Sequence, residues 1–482
     1  MQLFLYQEKS GVGDNPINKA IEDNYGNIWA IPDALNAGLF KYDINTGKYA
    51  IIKSEKYNEN SVSSDKFTDI YIDNQDIVWL ATGNNGLDLL DLNQKKFTTF
   101  RSNLGVEKTL SSDKIFGMDE DQHGNIWIAS YKGLNKFSPK NQSFGHFHNG
   151  LYPGLLNQDE IFEVYCDSYN QLWIGYLRIL LSKFDPATLS NTKFTETENF
   201  GNNFLGWSVR TIIEDDANNL WIGSNGSGLW YYDREHKHFS VYRHHPDTNS
   251  INSNQVFALH KDGQGIIWIG TKNDGLNRFD PKKQHFDSFT HEPLDSNSIP
   301  DNQILCITEE DENTLWIGSA EAGLIKFDKK NHRFSNYSQK DGLCDNMVKG
   351  ILIDDQKNLW ISTNNGLAKF DPKQEVFTTF TREDGIQGNE FNILSYLKSS
   401  DGIMYFGGTN GLTVFNPEEI HANPYNAKPV IHKISLFNRP VHVGEKVNNQ
   451  VILSRSILRT DRIELNHKNN VVSLGFTALH YS

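Results

Sequence analysis

The sequence is poor in cysteine, in methionine and in long apolar runs. It has 3 cysteines and 4 methionines in 482 residues. Cys166, Cys306 and Cys344 lie far apart without metal-binding spacing, so neither a disulfide framework nor a cysteine metal site is predicted. No stretch approaches the about 18 consecutive apolar residues of a membrane helix, so we expect no membrane segment in this chain. The start, Met1–Phe4, lacks the basic residues and apolar core of a signal peptide.

Positive charge and catalytic motifs are also scarce. Lys and Arg number 46 against 60 Asp and Glu, a net charge of −14, which argues against nucleic acid or an anionic membrane as the main partner. No Gly-rich phosphate loop, Gly-x-Ser-x-Gly or His-Glu-x-x-His motif occurs. The pair His244-His245 has no third ligand at metal spacing. We therefore expect no cofactor, no metal and no enzymatic activity in this chain.

What the sequence has instead is a repeat, of which Ile267 to Asp280 is the clearest copy. Trp268 opens a β-prone run, Asn273-Asp274-Gly275 provides a turn, and a return strand follows. Nine copies stand 44 to 50 residues apart, the last with Tyr405 for Trp. The tryptophans are Trp29, Trp79, Trp127, Trp173, Trp221, Trp268, Trp316 and Trp360. An acid precedes each by six residues, whereas Ser399 precedes Tyr405.

Each copy has the pattern of four short antiparallel strands. A first strand such as Val209–Glu214 precedes the Trp hairpin, and a short strand such as Phe286–Phe289 follows it. Four strands in a period of this length are typical of a β-propeller blade. The rhythm stops after Pro417, where a different β pattern with too few strands for a closed sandwich begins. The predicted fold class is all-β: a propeller followed by a partial β-sandwich.

Two sets of residues resemble a known family. Leu220-Trp221-Ile222-Gly223-Ser224 and Ile267-Trp268-Ile269-Gly270-Thr271, followed by Gly-Leu-x-x-Phe-Asp or, after Ser224, by its Tyr variant, resemble the two-component regulator propeller repeat. The segment Asn469–Tyr481 resembles the opening of the Ig-like "triple tyrosine" domain. The combination is similar to the sensor region of hybrid two-component histidine kinases. The resemblance implies a periplasmic sensor of glycan-derived oligosaccharides that signals to a histidine kinase absent from this chain, and a homodimer formed through the Ig-like region.

The resemblance also suggests a domain division, because such sensors carry two seven-bladed rings. We expect two repeats of a truncated first ring over 1–111, a complete ring over 112–417, a linker over 418–429 and an incomplete Ig-like domain over 430–482. On this view, Phe97-Thr-Thr-Phe100 completes the last blade. The alternative is a single nine-bladed ring closed by Leu3–Tyr6, and propellers typically have four to eight blades.

Residues that depart from the internal pattern are the candidates for ligand binding. Fourteen residues before the repeat Trp, or before Tyr405 in the ninth copy, most copies have Asn or Asp, but two have an aromatic residue, Trp207 and Phe391. An aromatic side chain there can stack on a sugar or pack under its own loop. Arg210, second in a first strand, points either to the channel or into a neighbouring blade. The remaining candidates lie in loops between second and third strands, where solvated loop residues are the alternative: Tyr131, Lys132, Tyr176, Arg178 and Lys272.

Three functions remain open at this stage. The sequence favours a ligand-binding sensor domain. A protein-interaction scaffold is the second possibility, since many propellers serve that role. A propeller enzyme similar to streptogramin lyase is the third. The loops that enter strand one and those that join strands two and three form one mouth of a propeller, and no blade pairs a His with a carboxylate in these mouth loops in a convincing way.

Overall fold

The structure is a computed structural model that describes residues 16–34, 36–54, 61–73, 76–92, 97–103, 109–177, 181–194, 208–420 and 429–478. It is built from short antiparallel strands, as predicted. The helical segments that it describes are short 3-10 turns at Gln339–Asp341, Arg382–Asp384, Pro417–Glu419 and Ile457–Arg459. Within the described ranges, no helix is long and apolar enough to span a membrane.

The Trp hairpin forms as the sequence predicts. Strand Ile267–Thr271 pairs with Leu276–Asp280, with Ile269 opposite Asn277. The turn ends at Gly275, whose φ is +81° and where a Cβ would stand 2.2 Å from the carbonyl oxygen of Phe289. Only glycine avoids both the left-handed backbone strain and this clash, so the turn fixes the register of the hairpin.

The recurring acid and the recurring Trp form one structural unit. In repeat six, Asp262 Oδ1 accepts the backbone N–H groups of Gln264 and Ile266, and Asp262 Oδ2 accepts the indole N–H of Trp268 at 2.9 Å. Burial raises the pKa of Asp262, but the hydrogen bonds from Trp268 and the backbone outweigh it, so the pKa lies below its ordinary value. The same indole bond occurs in all eight Trp repeats, at 2.7 to 3.2 Å. In the ninth repeat Ser399 stands at the position of the acid, and its Oγ donates to Asp401 Oδ1 and to the carbonyl oxygen of Ile403.

Seven of the sheets form a ring of four-stranded blades, numbered here in chain order. First strands of neighbouring blades contact one another around the ring, and Phe391–Lys398 in blade seven contacts Ile115–Glu120 in blade one. The strands are Ile115–Glu120, Ile126–Ser130, Gly133–Ser138 and Ser143–Phe147 in blade one; Ile161–Cys166, Leu172–Tyr176, Leu181–Asp185 and Ser190–Phe194 in blade two; Val209–Glu214, Leu220–Ser224, Gly228–Asp233 and His238–Tyr242 in blade three; Val256–Lys261, Ile267–Thr271, Leu276–Asp280 and His285–Phe289 in blade four; Ile304–Asp311, Thr314–Ser319, Leu324–Asp328 and Arg333–Tyr337 in blade five; Val348–Ile353, Leu359–Thr363, Leu367–Asp371 and Val376–Phe380 in blade six; and Phe391–Lys398, Met404–Gly408, Gly411–Phe415 and Thr98–Phe100 in blade seven.

The outer strand of blade seven comes from the segment before the ring. Phe100 pairs with Leu412 and Thr98 with Val414. Next to this strand, the Phe97 ring packs edge-on against Phe380 and Phe415. This pairing is that of a seven-bladed ring rather than of the nine-bladed alternative. The segment Leu3–Tyr6, which that alternative invoked, lies outside the described residues.

The chain divides into two compact units, of which the ring belongs to one. Residues 95–420 form one compact unit, and residues 1–94 and 421–482 are grouped in the other. The first repeat is a four-stranded sheet and the second a three-stranded one, since its expected fourth strand belongs to blade seven. Their strands are Ile17–Glu22, Asn27–Pro32, Leu39–Asp43 and Tyr49–Ile52, then Phe67–Ile72, Ile77–Thr82 and Leu87–Asp91.

The C-terminal segment contains the partial sandwich expected from its β pattern. Strand Pro429–Leu436 lies between Arg439–Pro440 and Val472–Ala478, and Lys446–Val447 pairs with Gln450–Val451. Its core is small and consists of Ile434, Leu436, Ile452 and Leu453.

Candidate functional site

The strand nearest the ring axis has a local irregularity that turns one side chain out of each blade. In blade three, Val209 pairs with Ser224 and Thr211 with Gly223, so Arg210 between them has no partner in the ladder. A bulge of this kind re-aims the extra side chain. A register shift at the same place occurs in the first strands of the other ring blades, and in blade seven it is two residues longer. The seven second residues are Phe116, Phe162, Arg210, Phe257, Leu305, Lys349 and Asn392.

Six of these seven side chains line one cavity in the ring channel. The cavity has a volume of about 200 Å³ and also includes Ile393 and Leu394 from blade seven. It lies at the end of the ring where the first strands begin. Three phenylalanines, two cations and an amide therefore converge on one space, and its lining contains no carboxylate.

Arg210 is held in the cavity by aromatic rings. Its guanidinium lies 5.2 Å from the ring centroid of Phe162 and 5.1 Å from that of Phe257, and Phe162 in turn stacks on Phe116 at 4.4 Å. Such cation–π contacts position a guanidinium but do not neutralise it. Burial lowers the pKa of Arg210, yet arginine remains protonated at neutral pH. The prediction for Arg210 left two orientations open, and the structure places it in the channel.

Lys349 enters the cavity three blades away, from the facing side of the ring. Its ammonium donates to Asn364 Oδ1 at 2.9 Å and to the carbonyl oxygen of Phe391 at 2.7 Å. The nearest acid, Glu390, is 3.9 Å away and half-exposed. Burial lowers the pKa of Lys349, although the charge of Glu390 opposes the shift. The ammonium is thus fixed by neutral oxygens.

The position of Phe391 corrects the sequence alignment of the ninth repeat. Phe391 pairs with Gly408, as Val209 pairs with Ser224, so it starts a first strand instead of lying in the loop before it. Pairing resumes at Tyr396, and Leu394 has a φ of +60°. The bulge in blade seven is therefore two residues longer than in the other blades, and its residues Asn392, Ile393 and Leu394 line the cavity. Phe391 itself is buried, so the prediction that it offers an exposed stacking face is wrong.

The true equivalent of the loop Asn or Asp in blade seven is Asn389. Its Oδ1 accepts the N–H of Arg382, as Asn346 accepts that of Gln339 and Asn302 that of His291. This bond fixes the loop that enters the first strand, which is the role the sequence suggested for these residues.

Tyr176 also differs from the prediction of an accessible loop residue. It ends strand Leu172–Tyr176 and is 0% exposed. Its hydroxyl lies 2.9 Å from Ser182 Oγ and accepts a hydrogen bond from the N–H of Asn157 at 3.4 Å. Burial raises its pKa. A buried and satisfied tyrosine cannot stack on a ligand in the mouth, so Tyr176 is a core residue of blade two.

The other predicted loop residues are spread around the mouth and do not line the cavity. Tyr131 is 45% exposed, and the Lys114 ammonium lies 5.3 Å from its ring centroid. Lys132 is exposed, and Lys272 is half-buried in the corresponding loop of blade four. Arg178 and Trp207 lie outside the described residues.

Most of the cavity was missed from sequence, although a signal was present. Phe116, Phe162, Phe257 and Lys349 each stand eleven residues before a repeat Trp, as Arg210 does. Comparing that position across the repeats would have shown aromatic and cationic residues where other strand positions are aliphatic. Asn392 breaks the spacing because of the two-residue insertion in blade seven.

The geometry suits binding. Stacked aromatic faces accept the apolar face of a ring, and the cations and Asn392 offer polar contacts. The Asn392 amide nitrogen donates to the carbonyl oxygens of Ile115 at 2.6 Å and Gly408 at 3.2 Å. These bonds do not use its Oδ1, which can accept a hydrogen bond from a ligand. Over the ranges that the structure describes, no group of three His, Cys, Asp or Glu side chains could hold a metal ion.

Comparison with known proteins gives a consistent assignment of the repeats. Residues 250–273 and 342–365 match the family described as "Two component regulator propeller". Each match covers the loop that enters the first strand, the first strand itself and the Trp strand, one match in blade four and the other in blade six. Histidine kinase P4 from Formosa agariphila is 26% identical over 311 residues, which are 63% of this chain and 22% of that protein.

Two solved structures share the fold. The extracellular domain of the hybrid two component system BT3049 from B. thetaiotaomicron has a TM-score of 0.74 at 24% identity and matches 96% of this chain and 59% of its own. The extracellular domain of BT4673 from the same organism has a TM-score of 0.55 at 18% identity, over 96% of this chain and 61% of its own. This chain spans less than two thirds of each relative. Two of its segments match the two component regulator propeller model, and the chain resembles the sensor region of hybrid two-component histidine kinases, as the sequence predicted.

Proposed function

We propose that this chain is the extracytoplasmic sensor region of a hybrid two-component regulator and that its seven-bladed ring binds a glycan-derived oligosaccharide. The observation that carries the proposal is the cavity at the strand-one starts, where Phe116, Phe162 and Phe257 converge with Arg210 and Lys349. Aromatic faces with a few fixed polar groups are the usual features of a sugar site. The cavity is smaller than the about 300–1,000 Å³ of typical ligand pockets, so it accommodates one sugar unit of a longer chain.

The rest of the oligosaccharide would contact the mouth loops. Tyr131, Lys132 and Lys272 lie in these loops around the entrance to the channel, and Arg178 and Trp207 belong to corresponding segments of blades two and three. We propose that ligand binding in the periplasm is transmitted to a histidine kinase elsewhere in the protein and that the C-terminal Ig-like segment contributes to a homodimer. Among the residues that the structure describes, no recognisable nucleophile–base pair lines the cavity, which supports binding without turnover.

A thermal-shift screen with glycan-derived oligosaccharides tests the proposal. A ligand at a hundredfold excess over its Kd stabilises the folded state by about 2.7 kcal/mol, which gives a clear rise in Tm. Affinity is then measured by calorimetry for wild type, for Phe162→Leu and for Tyr71→Ala, a matched aromatic variant at an exposed site outside the ring. We expect Phe162→Leu to lose about 1–3 kcal/mol of binding, the scale of an aromatic contact residue, and Tyr71→Ala to bind normally. Failure of every oligosaccharide to bind, or equal affinities in both variants, contradicts the proposal.

Substitution of Trp207 tests separately whether the ligand extends over the mouth loops. If the ligand extends from the cavity over blade three, Trp207→Ala lowers affinity by about 1–3 kcal/mol and leaves Tm nearly unchanged. A large fall in Tm with unchanged affinity would identify Trp207 as a packing residue and would place the extended ligand on another sector.

A further inference from the structure

Arg210 has no acidic partner among the described residues, in contrast to the buried cations Arg234 and Lys329. Arg234 lies 2.9 Å from both Asp167 and Glu214, and Lys329 lies 2.6 Å from Glu309. Arg210 forms no ion pair over the described ranges, and its Nε is buried without a hydrogen-bond partner. Removing a cation from water without a counter-charge is unfavourable. The sequence retains this unfavourable group at the centre of an aromatic cavity.

The surroundings of Arg210 strengthen the attraction for a negative charge. Phe116, Phe162 and Phe257 exclude water from one side of the guanidinium, and a lower effective dielectric increases charge–charge interaction. The cavity lining has no carboxylate, although acids outnumber bases in the chain by 60 to 46. The positive cavity is therefore a local exception on an acidic protein.

Lys349 adds a second cation on the facing wall. Its ammonium is oriented by Asn364 and by the carbonyl oxygen of Phe391, which is the residue that begins the expanded strand of blade seven. The first two residues of blade seven thus provide the carbonyl oxygen that orients Lys349 and the Asn392 side chain that lines the cavity. An anion between Arg210 and Lys349 would accept charge-assisted hydrogen bonds from two sides, and such bonds are roughly twice as strong as neutral ones.

We propose that this cavity binds an anionic substituent, a carboxylate or a sulfate ester, carried by the sugar unit that enters the ring. The planar guanidinium of Arg210 can donate two parallel hydrogen bonds to either oxyanion, and the ammonium of Lys349 supplies a second positive charge. The rings of Phe162 and Phe257 hold the guanidinium in place. The saccharide part of this inference rests on the proposed sensor function, whereas the anion site rests on the cavity alone.

The test uses saccharide pairs that differ only in charge. An oligogalacturonate is compared with its methyl ester, and a sulfated galactan oligosaccharide with its desulfated form, so that the two arms distinguish a carboxylate from a sulfate. Binding is measured by calorimetry at fixed ionic strength, with inorganic sulfate as a sugar-free probe. We expect at least one charged form to bind about tenfold or more tightly than its neutral partner, the effect of one charged hydrogen bond.

Three variants connect that preference to the cavity. Arg210→Gln should remove the preference for the charged form, and Arg210→Lys, which keeps the charge without the fork, should retain part of it. Arg278→Gln is the matched control, because Arg278 pairs with Asp287 outside the cavity, and it should keep the full preference. A circular dichroism spectrum and Tm for each variant separate binding effects from misfolding.

The possible failures are distinguishable. Equal affinity for charged and neutral forms, or an unchanged preference in Arg210→Gln, overturns the anion site and leaves an oligosaccharide sensor intact. Stabilisation by sulfate in wild type but not in Arg210→Gln, without binding of any saccharide, supports the anion site and contradicts the sensor proposal. A large loss of Tm in Arg210→Gln with no response of wild type to any anion would show that Arg210 is a structural plug and would overturn the inference.

Discussion

The two ends of the ring channel use charge in opposite ways. At the strand-one starts, Arg210 and Lys349 face a cavity without any acid in its lining. At the strand-one ends, the carboxylates are engaged by neighbouring blades. Glu120 accepts hydrogen bonds from the N–H and hydroxyl of Ser400, and Glu214 accepts the same pair from Ser168.

This difference shows which charges stabilise the ring and which remain available. Each of these glutamates joins its blade to the preceding one, and Arg234 neutralises Glu214 and Asp167 while its guanidinium stacks on Tyr169 and Trp173. Charge at this end is satisfied within the fold. At the other end, Arg210 forms no ion pair among the described residues, and Lys349 has only the half-exposed Glu390 at 3.9 Å. The charge of these two cations is therefore less fully neutralised within the fold than that of Arg234.

Removing Arg234 should give the largest effect on stability. Arg234→Met leaves Asp167, whose side chain is fully buried, and Glu214 without their cation, and the loss of one partner from a buried ion pair typically costs about 3–5 kcal/mol. We expect the free energy of unfolding to fall by about 3 kcal/mol in urea denaturation at neutral pH. Arg278→Met, at a half-exposed surface pair, serves as the control and should change it by less than about 1 kcal/mol. Similar losses in the two variants would erase the distinction between the ends of the channel.

The pH dependence of stability should come next in size. Burial, reinforced by the charge of Glu120, raises the pKa of Asp119 from 3.8 to about 7, against the lowering effect of two backbone N–H groups. The pKa of Glu163 is also raised, because of its burial and the charge of Asp119. The folded state therefore holds a proton on Asp119 that the unfolded chain has lost, and this carboxyl opposes folding increasingly as pH rises from about 4 to about 7.

Asp119→Asn isolates this contribution. Relative to wild type, the variant should become more stable as pH increases from 5 to 8, with the difference in unfolding free energy measured at each pH. Subtracting wild type removes the titration of groups on which Asp119 does not act, such as His260, whose pKa is lowered by burial, whereas the linked titration of Glu163 remains part of the difference. A difference that stays constant over this range would mean that Asp119 is already ionised in the folded protein at acidic pH.

The smallest effect on stability is expected at Arg210. Arg210→Gln loses two cation–π contacts, each worth about 0.5–2 kcal/mol, but it also removes a buried charge without a counter-ion. We expect these terms to offset one another within about 1 kcal/mol in the same urea experiment. A loss as large as that of Arg234→Met would show that both ends of the channel serve stability alike.

The repeat pattern was sufficient to predict the blades, and the extra strand Phe97–Phe100 was sufficient to anticipate how blade seven is completed. Both depend on local spacing, which the sequence displays directly. The recurring acid was assigned to turns, but its second bond to the Trp indole was not foreseen. That bond accounts for the joint change in the last repeat, where Ser399 replaces the acid and Tyr405 replaces the Trp, so that both members of the carboxylate–indole pair are absent.

The site was harder to predict because it depends on pairing register. Counting back from Tyr405 placed Phe391 in a loop, since a two-residue insertion cannot be located without knowing which residues pair. Tyr176 was assigned to a loop although it is the last residue of its strand: it stands three residues after Trp173, as Ser224 stands three residues after Trp221. The cavity itself joins residues from six different blades, and their convergence follows from ring closure rather than from any local motif.

The borrowed strand of blade seven also constrains the order in which the ring can be assembled. Thr98–Phe100 precedes all the other ring strands in the chain, and its partner Gly411–Phe415 follows them. During synthesis, blades one to six can therefore form by local hairpin pairing while the first and last blades keep open sides. Closure must wait until residue 415 has been made, and it joins segments of very large sequence separation, a type of contact that slows folding. The entropic penalty grows only logarithmically with loop length, so late closure delays the finished ring far more than it weakens it.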